Sequence, residues 1–263
     1  MKAVVYGIDG TKAKEIELPD AFDASVRNEL IRRAFLSEQS EEFQPKGAYK
    51  WAGMETSARY RGRKEAYHTL KNRGGSKLPR QMFPKGGIGQ VRRIPSSVKG
   101  RRAHPPKPEK VLVERMNRKE KEKALISAIA ATANKDIVEA RGHKIKDVAM
   151  PIVFEDSLEN VKKTSEVVKI FERLIGDDLK RSINGTKKLG FRMGGKKVPR
   201  SALVVVSGDV ALKKSARNIP GVDVSSIDKL TVSDLAPGGD PGRLTIWTKK
   251  ALDALGKKKE EKK

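Results

Sequence analysis

Ala202-Leu203-Val204-Val205-Val206, followed by Ser207-Gly208-Asp209, is the stretch that decides the fold class. An unbroken apolar, β-branched run has no polar side to give to water. It therefore suits a strand covered on both faces, the usual state of strands in parallel sheets. Ser207-Gly208-Asp209 closes the run as a βα turn. A short helix follows as far as Arg217, with Asp209 as its cap. Downstream, 222–224 reads as a short strand, 232–235 as a helical turn, Leu244-Thr245-Ile246-Trp247 as the last strand and 249–255 as a helix.

The same alternation runs upstream. Ile152 to Phe154 reads as a strand between Pro151 and Glu155-Asp156. Val167, Ile170, Phe171 and Leu174 share one face of a helix over 164–174, which Gly176 can stop. Lys2 to Tyr6 is a first strand, and 15–18 a second short one. Val26, Leu30, Ile31, Ala34 and Phe35 lie on one face of a helix over 23–40, with Asp20 or Asp23 to cap it. In Asn117-Arg-Lys-Glu120 the spacing is that of a reciprocal cap. The helix it opens sets Leu125, Ile129 and Ala133 on one face beside Ala124, Ala128 and Ala131. Strands alternating with helices predict an α/β fold, with a central parallel or mixed sheet of about four to five strands and helices on its faces. No 20–50-residue period points to a solenoid.

One long stretch breaks the pattern. Residues 46–110 hold eighteen Lys and Arg against Glu55, Glu65 and Glu109, and fifteen of the positions are Gly or Pro. No apolar period survives there, so the stretch has no core of its own to offset the entropy of ordering it. It separates two amphipathic helices, which makes it an insertion and not a loose terminus. A second basic run, 181–200, has seven cations and no acid, and the tail 257–263 is also basic. These three segments carry essentially all of the net charge of +24. The expected organisation is a discontinuous globular domain (1–45 and 111–256), an extended basic loop (46–110), a second basic loop (181–200) and a disordered tail (257–263).

Clustered positive charge beside a near-neutral body is the footprint of a nucleic-acid binder. Half of the cations in 46–110 are arginines, which fork onto phosphate and stack on bases. Tyr49, Trp51, Tyr60, Tyr67 and Phe83 are interleaved with them as stacking platforms. The expected RNA contacts in the long loop are Lys46, Lys50, Trp51, Arg59, Arg61, Arg63, Lys64, Arg73, Lys77, Arg80, Lys85, Arg92, Arg93, Lys99, Arg101, Arg102 and His104. In the second loop they are Lys187, Lys188, Arg192, Lys196, Lys197 and Arg200. The loop is long enough to enter a large RNA mass: half of it, fully extended, spans at most ~105 Å.

Other chemistry finds little support. The chain has no cysteine, which excludes disulfides and thiol catalysis. His68, His104 and His143 have no metal-ligand spacing, and stacking or phosphate contact suits His68 and His104 better. Gly86-Gly87-Ile88-Gly89 and Gly74-Gly75 lack the Gly-Lys-Ser/Thr ending of a phosphate loop. Neither a metal nor a cofactor is expected, nor any catalytic residue. The longest apolar runs fall short of a membrane span, and MKAVVYGIDG is too short in apolar residues for a signal peptide. The expected location is cytoplasmic, without membrane contact or stable homo-oligomer. Two rival readings are a free RNA chaperone or regulatory RNA binder, and an enzyme on a doubly wound sheet acting on a phosphorylated substrate or nucleotide.

Val-Lys-Gly-Arg-Arg-Ala-His-Pro-Pro-Lys-Pro-Glu-Lys (98–110) and the helix of 117–134 resemble large-subunit ribosomal protein four in its archaeal and eukaryotic branch. Ala-Gly-Met-Glu-Thr-Ser-Ala (52–58), the Val-Val-Val-Ser-Gly-Asp turn and the segment from Pro237 to Trp247 fit the same family. The family's Gly-x-Gly-Arg element is replaced by Tyr60-Arg61-Gly62-Arg63-Lys64. The resemblance implies a three-layer α/β/α domain on the outside of the large ribosomal subunit. It implies a loop threaded into large-subunit ribosomal RNA, with a tip within 59–80 that helps wall the nascent-peptide exit tunnel. Neighbouring ribosomal proteins, the nascent peptide and a part in early subunit assembly follow from it as well.

Overall fold

The computed structural model describes residues 1–47, 49–91, 93–145, 148–188 and 195–260. Its elements, in chain order, are β1 (Lys2–Tyr6), β2 (Lys12–Glu17), α1 (Asn28–Glu41), α2 (Arg118–Ala133), α3 (Lys135–Ala140) and β3 (Ile152–Phe154). There follow α4 (Thr164–Asn184), β4 (Lys187–Lys188), β5 (Lys196–Lys197), β6 (Leu203–Val206), α5 (Ala211–Ala216), β7 (Asp223–Ser226), α6 (Val232–Leu235), β8 (Thr245–Thr248) and α7 (Lys249–Glu260). The chain forms two compact units, Met1–Glu41 with Glu114–Lys263, and Glu42–Val113.

The first unit is an α/β body around one six-stranded sheet in the order β2-β1-β3-β8-β6-β7. Only the β1–β2 pair is antiparallel. The sheet thus has six strands, more than the four to five expected. The extra pairings are at its edges, where β2 and β7 are poor in apolar residues. Strand alternation divides the core in two. Leu203, Val205, Val153 and Trp247 face α1, α2 and α7, where Ile31, Ala34, Ala128 and Leu252 meet them. Val204, Val206, Ile152, Phe154 and Ile246 face α3, α4 and α5, against Val138, Phe171 and Leu212. β6 is buried throughout, as its continuous apolar sequence requires. Each such side chain contributes about 1.5–3 kcal/mol of transfer free energy. The alanines of α2 are buried and let it pack closely on α1 and α6.

Several boundaries differ from the sequence reading because distant partners set them. α1 starts at Asn28 and not near Asp23. Ser127 on α2 accepts a hydrogen bond from the Arg27 amide (2.6 Å) and donates to the Ser25 carbonyl (3.2 Å), which ties the preceding segment to α2. Asp23 instead pairs with the terminal ammonium. Asn117 is the N-cap of α2 but makes no side-chain cap, and Glu120 reaches Arg33 at 3.4 Å. Gly176 does not stop α4, which continues to Asn184 through a kink at Ile175. Its last turns bury Leu179 and Ser182. Val210, not Asp209, caps α5, and Asp209 pairs with Lys213 at 2.6 Å. α7 runs to Glu260, past the expected end at 255 and into the stretch 257–263 expected to be a tail; 261–263 lie outside the described residues.

Where the body receives the second basic segment, Ser182 donates to the carbonyls of Pro199 (3.0 Å) and Pro220 (2.8 Å). Gly221 fits there at φ +80°. A Cβ would stand 2.2 Å from Ser182 Oγ and 2.5 Å from the Pro199 carbonyl oxygen. Gly221→Ala is expected to cost about 2 kcal/mol or more, from strain and clash together, read as a lower urea midpoint with an unchanged slope.

Candidate nucleic-acid interface

In Glu42–Val113 the only large apolar side chain that is buried, among the described residues, is Ile94. The segment nevertheless has more local order than its composition suggests. Two arms run side by side. Arg101 donates to the carbonyls of Ala52 (3.2 Å) and Glu55 (3.0 Å), and Lys50 stands 3.9 Å from Glu109. Farther out, Arg59 and Arg80 exchange both backbone hydrogen bonds at 3.0 Å. The tip between them is pinned by the Leu70 amide on the Arg61 carbonyl (2.8 Å) and by Arg61 Nη1 on the Tyr67 carbonyl (3.1 Å). A further hairpin pairs Met82 with Ile88. Backbone contacts and turns, not a core, hold this unit.

What the unit turns outward is aromatic and cationic. Among the described residues, eleven of the fourteen large apolar side chains that are exposed lie between Phe43 and Val113. Tyr49, Trp51, Tyr60, Tyr67 and Phe83 are 49–79% exposed. Lys50 Nζ stands 6.0 Å from the Trp51 ring centroid, and Tyr67 meets His68 edge-on at 4.0 Å. The Glu55 carboxylate accepts the Tyr49 hydroxyl at 2.6 Å and pushes that phenol above its usual pKa. His68, Asn72, Arg93 and Lys99 take left-handed backbone conformations with φ of 54–60°. Non-glycine residues rarely do so, and they gather where function constrains the chain.

The expected contact residues sort into two groups. Lys46, Lys50, Trp51, Arg59, Arg63, Lys64, Arg73, Lys77, Lys85, Arg93, Lys99, Arg102 and His104 are exposed, as are Lys187, Lys196 and Lys197. Arg61, Arg80, Arg101 and Arg200 are engaged by the protein, Arg101 and Arg200 while remaining exposed. Arg80 holds the Ser76 carbonyl, and Arg200 forks onto Asp223 at 2.6 and 2.8 Å. Arg92 and Arg192 lie outside the described residues, as does the side chain of Lys188. Phe43, exposed at the foot of one arm, was not anticipated. A lone aromatic before Gln44-Pro45-Lys46 was its only signal.

The body adds a second basic surface at the amino ends of β6, β7 and β8. Arg200, Lys213, Arg217 and Arg243 line a cleft of about 310 Å³ with Asp223 and Asp234. Arg243 is buried. It donates to the carbonyls of Ser201 (3.1 Å) and Asp234 (3.0 Å) and pairs with Asp223. Burial lowers its pKa, and Asp223 works against that.

At the opposite end of the strands, where open α/β sheets hold their ligands, the space is occupied by the protein. The buried Glu159 accepts from Thr248 Oγ1 (2.7 Å), the Ser207 amide (3.1 Å) and the Ser207 hydroxyl (3.2 Å). A carboxylate there repels phosphate. Among the described residues, no group of three or more His, Asp and Glu could hold a metal ion, and no helix is long and apolar enough to cross a membrane.

The chain also has known relatives. Residues 16–258 match the model of the ribosomal protein L4/L1 family. The large ribosomal subunit protein uL4 of Methanocaldococcus jannaschii is 46% identical over 260 residues, covering 97% of this chain and 98% of its own. That of Pyrobaculum aerophilum is 43% identical, covering 97% and 89%, and that of Natronomonas pharaonis 42% identical, covering 96% and 98%. These likenesses define a structural ribosomal protein, not an enzyme. The chain belongs to the ribosomal protein L4/L1 family, as the motifs of 52–58, 98–110 and 117–134 imply.

Proposed function

We propose that this protein is built into the large ribosomal subunit, as its relatives are by name, and binds large-subunit ribosomal RNA mainly through 46–110. The observation that carries the reading is the pairing of exposed aromatic rings with dense positive charge on a unit that has almost no core. Its cations displace counterions from phosphates, its rings stack on unpaired bases, and RNA contacts supply the packing that the segment lacks. The tip, 59–80, lines the nascent-peptide exit tunnel, and the basic surface around Arg200 and Arg217 takes a second length of RNA backbone. Such a protein acts early in subunit assembly and meets neighbouring ribosomal proteins through its body.

Salt dependence tests the electrostatic part. If six to ten of these cations meet phosphates, affinity for large-subunit RNA falls by about 10³–10⁵ between 50 and 200 mM salt. A filter-binding titration with a flat salt response would defeat the reading. Crosslinks from Arg61 and Arg73 in the tip, and from Lys85 beyond it, to RNA and nascent peptide test the placement of the loop.

A further inference from the structure

At the foot of the two arms, wholly within Glu42–Val113, lies an open cleft of about 870 Å³. The exposed Phe43, Gln44 and the stiff run Pro105-Pro106 all line it. Gly47 meets this run at φ +139°, where a Cβ would stand 2.2 Å from the Pro106 carbonyl oxygen. Lys46, Arg102, Lys107 and Lys110 also line the cleft. Its one acid, Glu109, faces Lys50 at 3.9 Å.

We infer that this cleft is a subsite for a single unpaired nucleotide of RNA. The base stacks on Phe43 beside the proline rings that share the cleft, and the cations take the flanking phosphates. This rests on the RNA-binding reading above and adds a particular ligand class to it. Three features favour a nucleotide over other occupants. A bare aromatic face beside apolar proline rings presents a surface that sheds water when a planar group enters. Gln44 offers both a donor and an acceptor to a base edge. Four cations against one paired acid suit a polyanion. Proline fixes its run before binding, so little ordering entropy is lost there. A duplex keeps its bases stacked inside and cannot offer one to the cleft.

The test uses the full-length protein and a hairpin RNA with 2-aminopurine in its unpaired loop, beside the same sequence as an unbroken duplex. The wild type is expected to quench the loop fluorophore and, under ultraviolet light, to crosslink to it at Phe43. Phe43→Leu keeps the apolar volume at an exposed site. It should lose about tenfold in affinity for the loop RNA and nothing for the duplex, and Phe43→Tyr should restore both affinity and quenching. If Phe43→Leu binds the loop RNA as the wild type does, the subsite is wrong while RNA binding stands. If the wild type binds neither RNA, both readings fall. If an acidic aromatic peptide binds the cleft and RNA does not displace it, the occupant is a protein and the proposal is overturned.

Discussion

Replacing Glu42–Val113 by a short Gly-Ser linker is expected to leave the body folded and to lower its affinity for large-subunit RNA by about 10³-fold or more at moderate salt. The body tolerates the excision because its chain ends are already clasped. Ser37 Oγ donates to the Glu114 carbonyl at 2.6 Å, and Ser40 Oγ accepts from the Glu114 amide at 2.9 Å. α1 packs on α2 and α6, and Glu38 accepts from the amides of Val232 (3.3 Å) and Ser233 (2.8 Å). Nothing in the sheet or its two core layers is removed. A cooperative thermal transition, with filter binding on the same preparation, checks both halves. Undiminished affinity would refute the central role of the arms, and an unfolded product would refute the independence of the body.

Asp178→Asn is expected to destabilise the body by about 3–5 kcal/mol at neutral pH, because it breaks a buried charged network at one member. For a body of this size that lowers the melting temperature by on the order of 10 °C. Asp178 is fully buried on α4. It receives Ser201 Oγ at 2.6 Å, Arg181 Nε at 2.9 Å, and His143 Nδ1 and the Lys144 amide at 3.2 Å. Burial opposes its ionisation. The bonds from His143, Arg181 and Ser201 outweigh that and hold the carboxyl well below the usual carboxylate range. A depressed carboxylate stabilises the fold fully above its unfolded value of roughly 3.9, and loses that contribution as pH falls below it. Urea melts at pH 7 and pH 3.5 should therefore show a large gap between wild type and variant at pH 7 and a smaller one in acid. Equal stability at pH 7 would show that the network contributes nothing.

What could be read from the chain follows the range of the forces involved. β1 and β3 were legible to the residue because their apolar runs sit between sharp polar or proline boundaries. β6 was legible because four buried residues in a row admit few other places in a fold. The start of α1 was hidden because Ser127, a hundred positions away, fixes Arg27. The end of α4 was hidden because a mid-helix glycine costs only about 1 kcal/mol, which the burial of Ile175 and Leu179 outweighs. α3 is six residues long and too short to show a period; Asn134, accepting from the Asp136 amide at 3.1 Å, marks its start. In the arms, charge and aromatic content were plain. The side-by-side pairing rests on contacts such as Arg101 with Ala52, 49 residues apart, which no local pattern encodes.

β2 forms one border of the sheet, and its Lys12, Lys14, Glu15 and Glu17 are all exposed. A second copy laid along that border would have to dehydrate ammonium and carboxylate groups to reach the free backbone. The charges on β2 thereby work against the stacking of chains into fibres along this border.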